Sequence, residues 1–186
     1  MVYCNWWSSI GKRPRRQFDQ RNVILSGVVY GTLCASLRGA RLMKARVKWA
    51  GDVMFVAESG SGHAVVLEGP PEQGGRNVGI RPMELLLMGV GGCSSYDVVS
   101  ILRKSRQQVT DCVAELTAER ADEVPAVFTK IHLHFIVTGH GLKEAQVKRA
   151  VELSAEKYCS ASIMLGRAGV EVTHGYQIIE LDSSHG

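Results

Sequence analysis

The segment PMELLLMGVGGCSSYDVVSILR, residues 82–103, decides the fold. Pro82 suits the first turn of a helix, where its missing N–H is not needed, and no second proline interrupts the run. Apolar side chains occur almost all round this predicted helix, so we expect it to be buried on most sides. Gly89, Gly91 and Gly92 each cost up to about 1 kcal/mol compared with alanine. They predict that another backbone, from this chain or a second copy, passes close by.

Alternating polar and apolar residues on both sides of this helix predict strands. Three short strands precede it, at residues 44–50, 53–57 and 64–67, and a Gly- and Pro-rich loop at 69–79 joins them to the helix. It is followed by two strands at residues 112–120 and 128–138 and by an amphipathic helix at 142–158. A short helix at 161–167 and a final strand at 170–181 complete the chain. Because strands come in runs rather than alternating singly with helices, the fold class is α+β.

The strand at residues 128–138 should have one buried and one wet face. Ile131, Leu133, Phe135 and Val137 alternate with the polar residues Lys130, His132 and His134. His132 and His134 share a face and are the residues that suggest zinc, but a catalytic zinc site needs three protein ligands and a third is not evident. The sequence therefore assigns no metal and no cofactor.

Residues 1–42 differ from the rest of the chain. They show little periodicity, and their apolar stretch at 23–37 is too short to cross a membrane and makes a poor signal peptide. We therefore expect a cytoplasmic protein without a membrane partner. Residues 1–42 are interpreted as an N-terminal extension, with Met43 as the true start and 43–186 as the domain. N-terminal sequencing of the native protein tests this; a mature chain beginning near Met1 would refute it.

Composition excludes several classes of protein. A chain of 186 residues with 45% apolar content can bury the core of one domain without disulfides. The net charge of +4 comes largely from the first 41 residues, so a basic nucleic-acid surface on the domain is not expected. The five cysteines are an odd number without CxxC spacing, which argues against a disulfide scaffold or a zinc ribbon.

Cys93 and Cys159 are the candidates for chemistry. Cys159 precedes the short helix at 161–167, and a helix N-terminus lowers the pKa of a thiol and so raises the fraction of reactive thiolate. A thiol oxidised to sulfenic acid is rescued when a second thiol forms a disulfide with it, so two positioned cysteines suit that cycle. Asp97, one helical turn after Cys93, should raise a thiol pKa. Cys112 is interpreted as a packing residue.

Three stretches, 81–94, 131–135 and 155–160, together resemble the OsmC/Ohr family, specifically its YhfA-like branch. The resemblance covers roughly residues 43–181. It implies an OsmC-like fold with antiparallel sheets packed around a long buried central helix, in an intertwined homodimer. It also implies reduction of organic hydroperoxides in oxidative-stress defence, with Cys93 as the peroxidatic residue, Cys159 as the resolving residue and an unidentified thiol as reductant.

The family commonly holds an Arg and a Glu near the peroxidatic thiol. The Glu position is Met83 here, and Glu84 follows it; a shift of one residue on a helix rotates a side chain by about 100°. Arg46 and Arg81 are the candidates for the Arg, and Ser160 stands where the family usually has a proline. The alternative function is a non-catalytic dimeric stress protein that binds a lipophilic small molecule in an apolar cleft beside Cys93.

Overall fold

The computed structural model describes residues 42–182, and within them the elements follow the predicted order. The first half contains β1 (Ala45–Gly51), β2 (Met54–Ser59), β3 (Ala64–Glu68), a 3-10 turn (Pro71–Gln73) and α1 (Pro82–Lys104). The second half contains β4 (Gln108–Arg120), β5 (Phe128–His140), α2 (Glu144–Leu153), a π-helical turn (Ser154–Tyr158), α3 (Ser160–Arg167) and β6 (Glu171–Glu180). The α+β class is confirmed. The predicted extension lies outside the described residues except for Leu42.

The strands form two three-stranded sheets, β1-β2-β3 and β4-β5-β6. The first sheet is antiparallel throughout, as expected. In the second sheet β4 is antiparallel to β5, but β6 runs parallel to β5, with Ile131 opposite Val172. The expectation of purely antiparallel sheets is therefore wrong for this sheet. The reason is the crossover through α2 and α3, which returns the chain to the starting end of β5 before β6 begins.

The hydrophobic core lies between the second sheet and the helices. Every second residue of β5 points into it, and Ile131, Leu133, Phe135 and Val137 are at most 2% exposed. The helices contribute Val90, Val98 and Leu102 from α1 and Val147, Ala150 and Val151 from α2. The one-sided burial predicted for residues 128–138 is confirmed, with His132 exposed on the other face.

Helix α1 is buried on one face only within a single chain. Gly91 lies against β4, where an added Cβ would come within 2.7 Å of Leu116 Cδ1, whereas Gly89 and Gly92 border open space. Leu86 and Met88 are 52% and 57% exposed. The expected burial on most sides is thus not reached in one chain, because the second sheet, α2 and α3 cover a single side of the helix.

By length and composition alone, α1 could also cross a membrane, since it has 23 residues and contains an 18-residue stretch with a mean hydropathy of 1.6. Core helices of soluble proteins meet the same criterion. The contribution of Val98 and Leu102 to the hydrophobic core supports the second interpretation.

A buried carboxylate organises the loop that leads into α1. Glu68, at the end of β3, is 2% exposed and accepts hydrogen bonds from the N–H groups of Arg76, Val78 and Gly79 at 2.8, 2.6 and 3.2 Å. The bonds from Arg76 and Val78 outweigh burial and hold the pKa of Glu68 below its ordinary value. One side chain therefore satisfies three N–H groups of a loop that has no regular hydrogen-bonding partner there.

Replacing Glu68 by glutamine should lower Tm at neutral pH, because an uncharged amide accepts these hydrogen bonds less strongly. Since the folded pKa is lowered, the stabilisation is present above the pKa of an unfolded glutamate and is lost as the pH falls through the folded pKa. The Tm difference from wild type should be several degrees at pH 7 and shrink below about pH 4. Glu58→Gln, at an exposed position on β2, is the control with little effect. A difference that does not change with pH would contradict the assignment.

Candidate thiol site

Two local features bring Cys159 to the middle of α1. The helix predicted over 142–158 ends at Leu153 and is followed by the π-helical turn, after which Cys159 is the N-cap of α3. Short π-helical segments of this kind often mark functional sites. The turn is tied to α1 by the Ser154 hydroxyl, which donates to the Ser94 carbonyl oxygen at 3.1 Å. Cys159 therefore lies beside the segment of α1 that carries Cys93.

The sulfur atoms of Cys93 and Cys159 lie within 4.8 Å of each other, and an Asp97 carboxylate oxygen lies within the same distance of both. Both cysteines are free thiols; Cys159 is fully buried, while Cys93 is partly exposed. A disulfide requires the sulfurs to approach to about 2.05 Å. The two residues singled out from the sequence therefore meet in one place, with their sulfurs close to each other but not bonded.

Three hydrogen-bond donors converge on the Cys159 sulfur. The hydroxyls of Ser94 and Ser162 donate to it at 3.0 and 3.2 Å, and the Ser162 N–H donates at 3.4 Å. Both serines are buried, and their hydroxyl oxygens lie 3.3 Å apart. Neither serine was predicted from the sequence as a site residue. The sequence does carry a signal for both. Ser94 directly follows Cys93, and Ser162 lies three residues after Cys159, the position whose N–H an N-cap side chain contacts.

These donors decide the ionisation of Cys159. Burial raises the pKa of this thiol, but the hydrogen bonds from Ser162 and Ser94 outweigh burial, and the pKa lies below the ordinary value of a cysteine. The helix start predicted at Cys159 is confirmed, and the pKa is lowered as expected, but the serine hydroxyls contribute more to that lowering than the N–H group at the helix start.

Cys93 shows the opposite shift. Burial raises its pKa, the Ala161 N–H partly opposes this, and the neighbouring Cys159 and Asp97 raise it further. The effect expected of Asp97 is confirmed. Two thiols this close titrate as a unit, and the first negative charge of the pair is stabilised best on Cys159.

The three residues considered as supporting groups lie elsewhere in one chain. Arg46 forms an ion pair with Glu58 across β1 and β2 at 3.7 Å. Arg81 and Glu84 form an ion pair at 2.9 Å, and Glu84 also accepts the Arg81 backbone N–H, so that this pair caps the start of α1. Glu84 precedes Cys93 by nine residues, or about 14 Å along a helix. Among residues 42–182, no arginine is among the groups that shift the pKa of Cys93.

The remaining predicted candidates do not join the thiol pair. Cys112 is half-buried in β4 against the core, where burial and then Asp111 raise its pKa, as suits a packing residue. The rings of His132 and His134 stack with centroids 6.5 Å apart on the outer face of β5, and Thr173 contacts His132 Nδ1 at 2.8 Å. Cys4 and Cys34 lie outside the described residues.

A family model described as "OsmC-like protein" matches residues 74–175, more than half of the chain. The chain belongs to the OsmC family. Protein YhfA of Escherichia coli K12 is 53% identical over 140 residues, which cover 74% of this chain and 98% of that protein. This supports the YhfA-like branch of the OsmC family.

Solved structures extend the similarity in fold. A hypothetical protein from Aquifex aeolicus VF5 is 25% identical with a TM-score of 0.68, covering 77% of this chain and all of that one. An organic hydroperoxide resistance protein OsmC from Legionella pneumophila is 18% identical with a TM-score of 0.58, covering 73% of this chain and 96% of that one. At 18% identity the likeness to the Legionella protein shows the OsmC fold alone.

Replacing Ser162 by alanine should raise the pKa of Cys159, because it removes one of the hydroxyls that stabilise the thiolate. The thiolate absorbance of the reduced protein should therefore appear at higher pH than in wild type. The measurement is best made with Cys4, Cys34 and Cys112 changed to serine. Ser160→Ala, at an exposed position on the same helix, is the matched control. An unchanged titration curve in Ser162→Ala would contradict the role given to this hydroxyl.

Proposed function

We propose that this OsmC family member is a thiol peroxidase that reduces organic hydroperoxides through Cys93 and Cys159 in oxidative-stress defence. The observation that carries the proposal is the approach of the two sulfurs to within 4.8 Å, with hydrogen-bond donors aimed at one of them. The substrate class is taken from relatives of the same fold that are named organic hydroperoxide resistance proteins.

Cys93 is the attacking residue in this proposal, because it is partly exposed whereas Cys159 is fully buried. The thiolate of Cys93 attacks the terminal oxygen of the hydroperoxide, the O–O bond breaks, and Cys93 becomes a sulfenic acid. The other product is an alkoxide, which takes a proton to leave as the alcohol. The peroxide gains two electrons, and the Cys93 sulfur loses them.

The shared charge of the pair supplies both the nucleophile and the proton. When the pair carries one negative charge, that charge rests mainly on Cys159, and transfer of the Cys93 proton to Cys159 produces the nucleophile. Cys159 then holds the proton that the departing alkoxide needs and becomes a thiolate again when it gives that proton up. Coupled thiols with one proton between them suit this sequence, because each step leaves a single negative charge on the pair or on the alkoxide.

The second step closes the disulfide. The Cys159 thiolate attacks the Cys93 sulfenic acid, the S–S bond forms, and hydroxide leaves and is protonated to water. A thiol reductant, whose identity is open, then returns both cysteines to thiols by exchange. We place the protein in the cytoplasm, where such reductants keep thiols reduced, and we assign it no nucleic-acid or membrane partner.

A homodimer is part of the proposal. Leu86, Met88 and Tyr96 are exposed along α1, and Val47 and Trp49 are exposed on β1. Monomeric soluble proteins rarely expose large contiguous apolar patches, and the open space at Gly89 and Gly92 lets a second helix approach α1 closely. Burial against a second copy would make α1 the central helix implied by the family resemblance.

The supporting residues lie away from the thiol pair of their own chain. Arg81 and Glu84 are too far along α1 to reach Cys93 of their own chain, and Arg46 lies on the first sheet. We therefore propose that any contribution of Arg46, Arg81 or Glu84 to the thiol site comes from the second copy. A cation there would lower the pKa of Cys93, which burial raises within one chain.

Met88→Asp should convert the dimer to a monomer at micromolar concentration, since it buries a charge in the proposed interface. Size-exclusion chromatography with light scattering gives the mass. Val124→Asp places the same charge on the fully exposed connection between β4 and β5 and should leave the dimer intact. A monomeric wild type, or equal behaviour of the two variants, would rule out this interface.

Thiol counting during titration with cumene hydroperoxide tests the peroxidase. In a background with serine at positions 4, 34 and 112, the wild-type pair should lose two thiols. Cys159→Ser should lose one and become overoxidised, because no thiol rescues the sulfenic acid. Cys93→Ser should not react. Retention of the full rate in Cys93→Ser would move the attack to Cys159, and unreactive thiols in the wild-type pair would reject the peroxidase.

Unreactive thiols would favour the alternative, a non-catalytic binding protein. A cavity of about 550 Å³ lies beside the start of α1, with Met83, Leu87 and Phe128 among its apolar lining residues. Its volume is typical of small-molecule sites. Cys93 is not among its lining residues, so this cleft is not the one expected beside the thiol; it lies towards the capped end of the helix.

A further inference from the structure

Asp97 completes a group of three potential metal ligands with the thiol pair. It follows Cys93 by four residues on α1, so both side chains lie on the same helix face, while Cys159 approaches from the N-cap of α3. The two sulfurs and a carboxylate oxygen all lie within 4.8 Å of one another. We propose that the reduced protein binds one thiophilic divalent cation of the zinc type at Cys93, Asp97 and Cys159, and that this ion blocks the thiol chemistry.

The ligand set specifies the class of ion. Two thiolates and a carboxylate suit zinc, and two thiolates disfavour magnesium and calcium, which prefer oxygen ligands alone. With Zn–S bonds of about 2.3 Å, two sulfurs on a tetrahedral ion lie about 3.8 Å apart. The sulfurs already lie within 4.8 Å of each other, and the side chains of Cys93 and Asp97 are partly exposed. Three protein ligands leave a fourth position for water.

Metal binding gives the Asp97 carboxylate a role, whereas the peroxidase mechanism gives it none. A carboxylate beside Cys93 opposes ionisation of that thiol, so it is a disadvantage for the attack on a hydroperoxide. Three groups that each become negative so close together repel one another unless a cation lies between them. A divalent ion would leave the site with one net negative charge.

The surroundings of the site support binding and entry. The hydroxyls of Ser94 and Ser162 hold the Cys159 sulfur in place, as partners of metal ligands commonly do. In the single chain, Asp97 also lines an open cavity of about 480 Å³ together with Ser100 and Tyr158, which gives an ion a path from solvent.

Binding changes no oxidation state. The ion displaces the protons that the thiol pair still holds, which is the single shared proton when Cys159 is already a thiolate, and these protons pass to solvent. The ion withdraws electron density from each coordinated thiolate and so weakens its attack on a hydroperoxide, whereas disulfide formation removes both sulfur ligands and releases the ion. Metal binding is independent of the proposed function, but its regulatory meaning rests on that function.

Cobalt(II), used in place of zinc, reports the ligands by its thiolate charge-transfer absorption. The reduced, untagged full chain with serine at positions 4, 34 and 112 should bind one ion with that absorption, and zinc should displace it. Cys93→Ser and Cys159→Ser should lose the absorption. Asp97→Asn keeps both thiols but should lower the affinity for zinc at least about tenfold, measured in competition with a chromophoric chelator. The reason is that removing even a group that only supports a metal ligand lowers metal affinity about 10–100-fold. Asp111→Asn, an exposed aspartate on β4, is the control without effect.

One equivalent of zinc should slow thiol loss to cumene hydroperoxide at least about tenfold in wild type, and a chelator should restore it. Absence of the thiolate band, a spectrum typical of histidine ligands alone, or equal zinc affinity in Asp97→Asn would overturn the metal site. Thiols oxidised in pairs without any cobalt band would reject the metal site and leave the peroxidase standing. A cobalt band with thiols inert to hydroperoxide in the metal-free protein would support the metal site and reject the peroxidase.

Discussion

Hydrogen bonds to one buried sulfur atom hold the functional part of this molecule together. Ser94 on α1 and Ser162 on α3 both donate to Cys159, so the sulfur is the point where two helices meet. A buried thiolate without such donors would be costly, because burial alone favours the neutral thiol. The same bonds that lower the pKa of Cys159 therefore also fix the position of α3 against α1 and bring Cys159 next to Cys93.

The topology of the second sheet makes this meeting feasible. Because β6 is parallel to β5, the chain must cross back over the sheet, and α2 and α3 form that crossover. The π-helical turn between them ends α2 early and leaves Cys159 as an N-cap, where its sulfur faces the N–H of Ser162. A continuous helix through residue 158 would have given Cys159 helical neighbours and no such donor. The crossover thus brings Cys159 close to Cys93 and also places the N–H donor that helps to lower the pKa of Cys159.

Sequence patterns predicted the helices and strands well, but they predicted strand pairing and side-chain contacts less well. Alternation and apolar periodicity are local properties, so they identified α1 and the inward face of β5 but gave no direction for β6 relative to β5. The pairing of Cys93 with Cys159 came from family resemblance, because a pair far apart along the chain leaves no local signal. The donor serines and the buried Glu68 were missed for a related reason: a short polar residue shows its role only when its tertiary partners are known.

The most direct test of the account is the identity of the bond formed by the first oxidation. We expect peptide mapping by mass spectrometry, after one equivalent of an organic hydroperoxide, to find Cys93 linked to Cys159 within one chain, at a yield that follows peroxide consumed. Oxidation that leaves these two cysteines unlinked, or that joins either of them to another cysteine instead, would contradict the claim that the donor-stabilised thiol and its neighbour on α1 act as one redox pair.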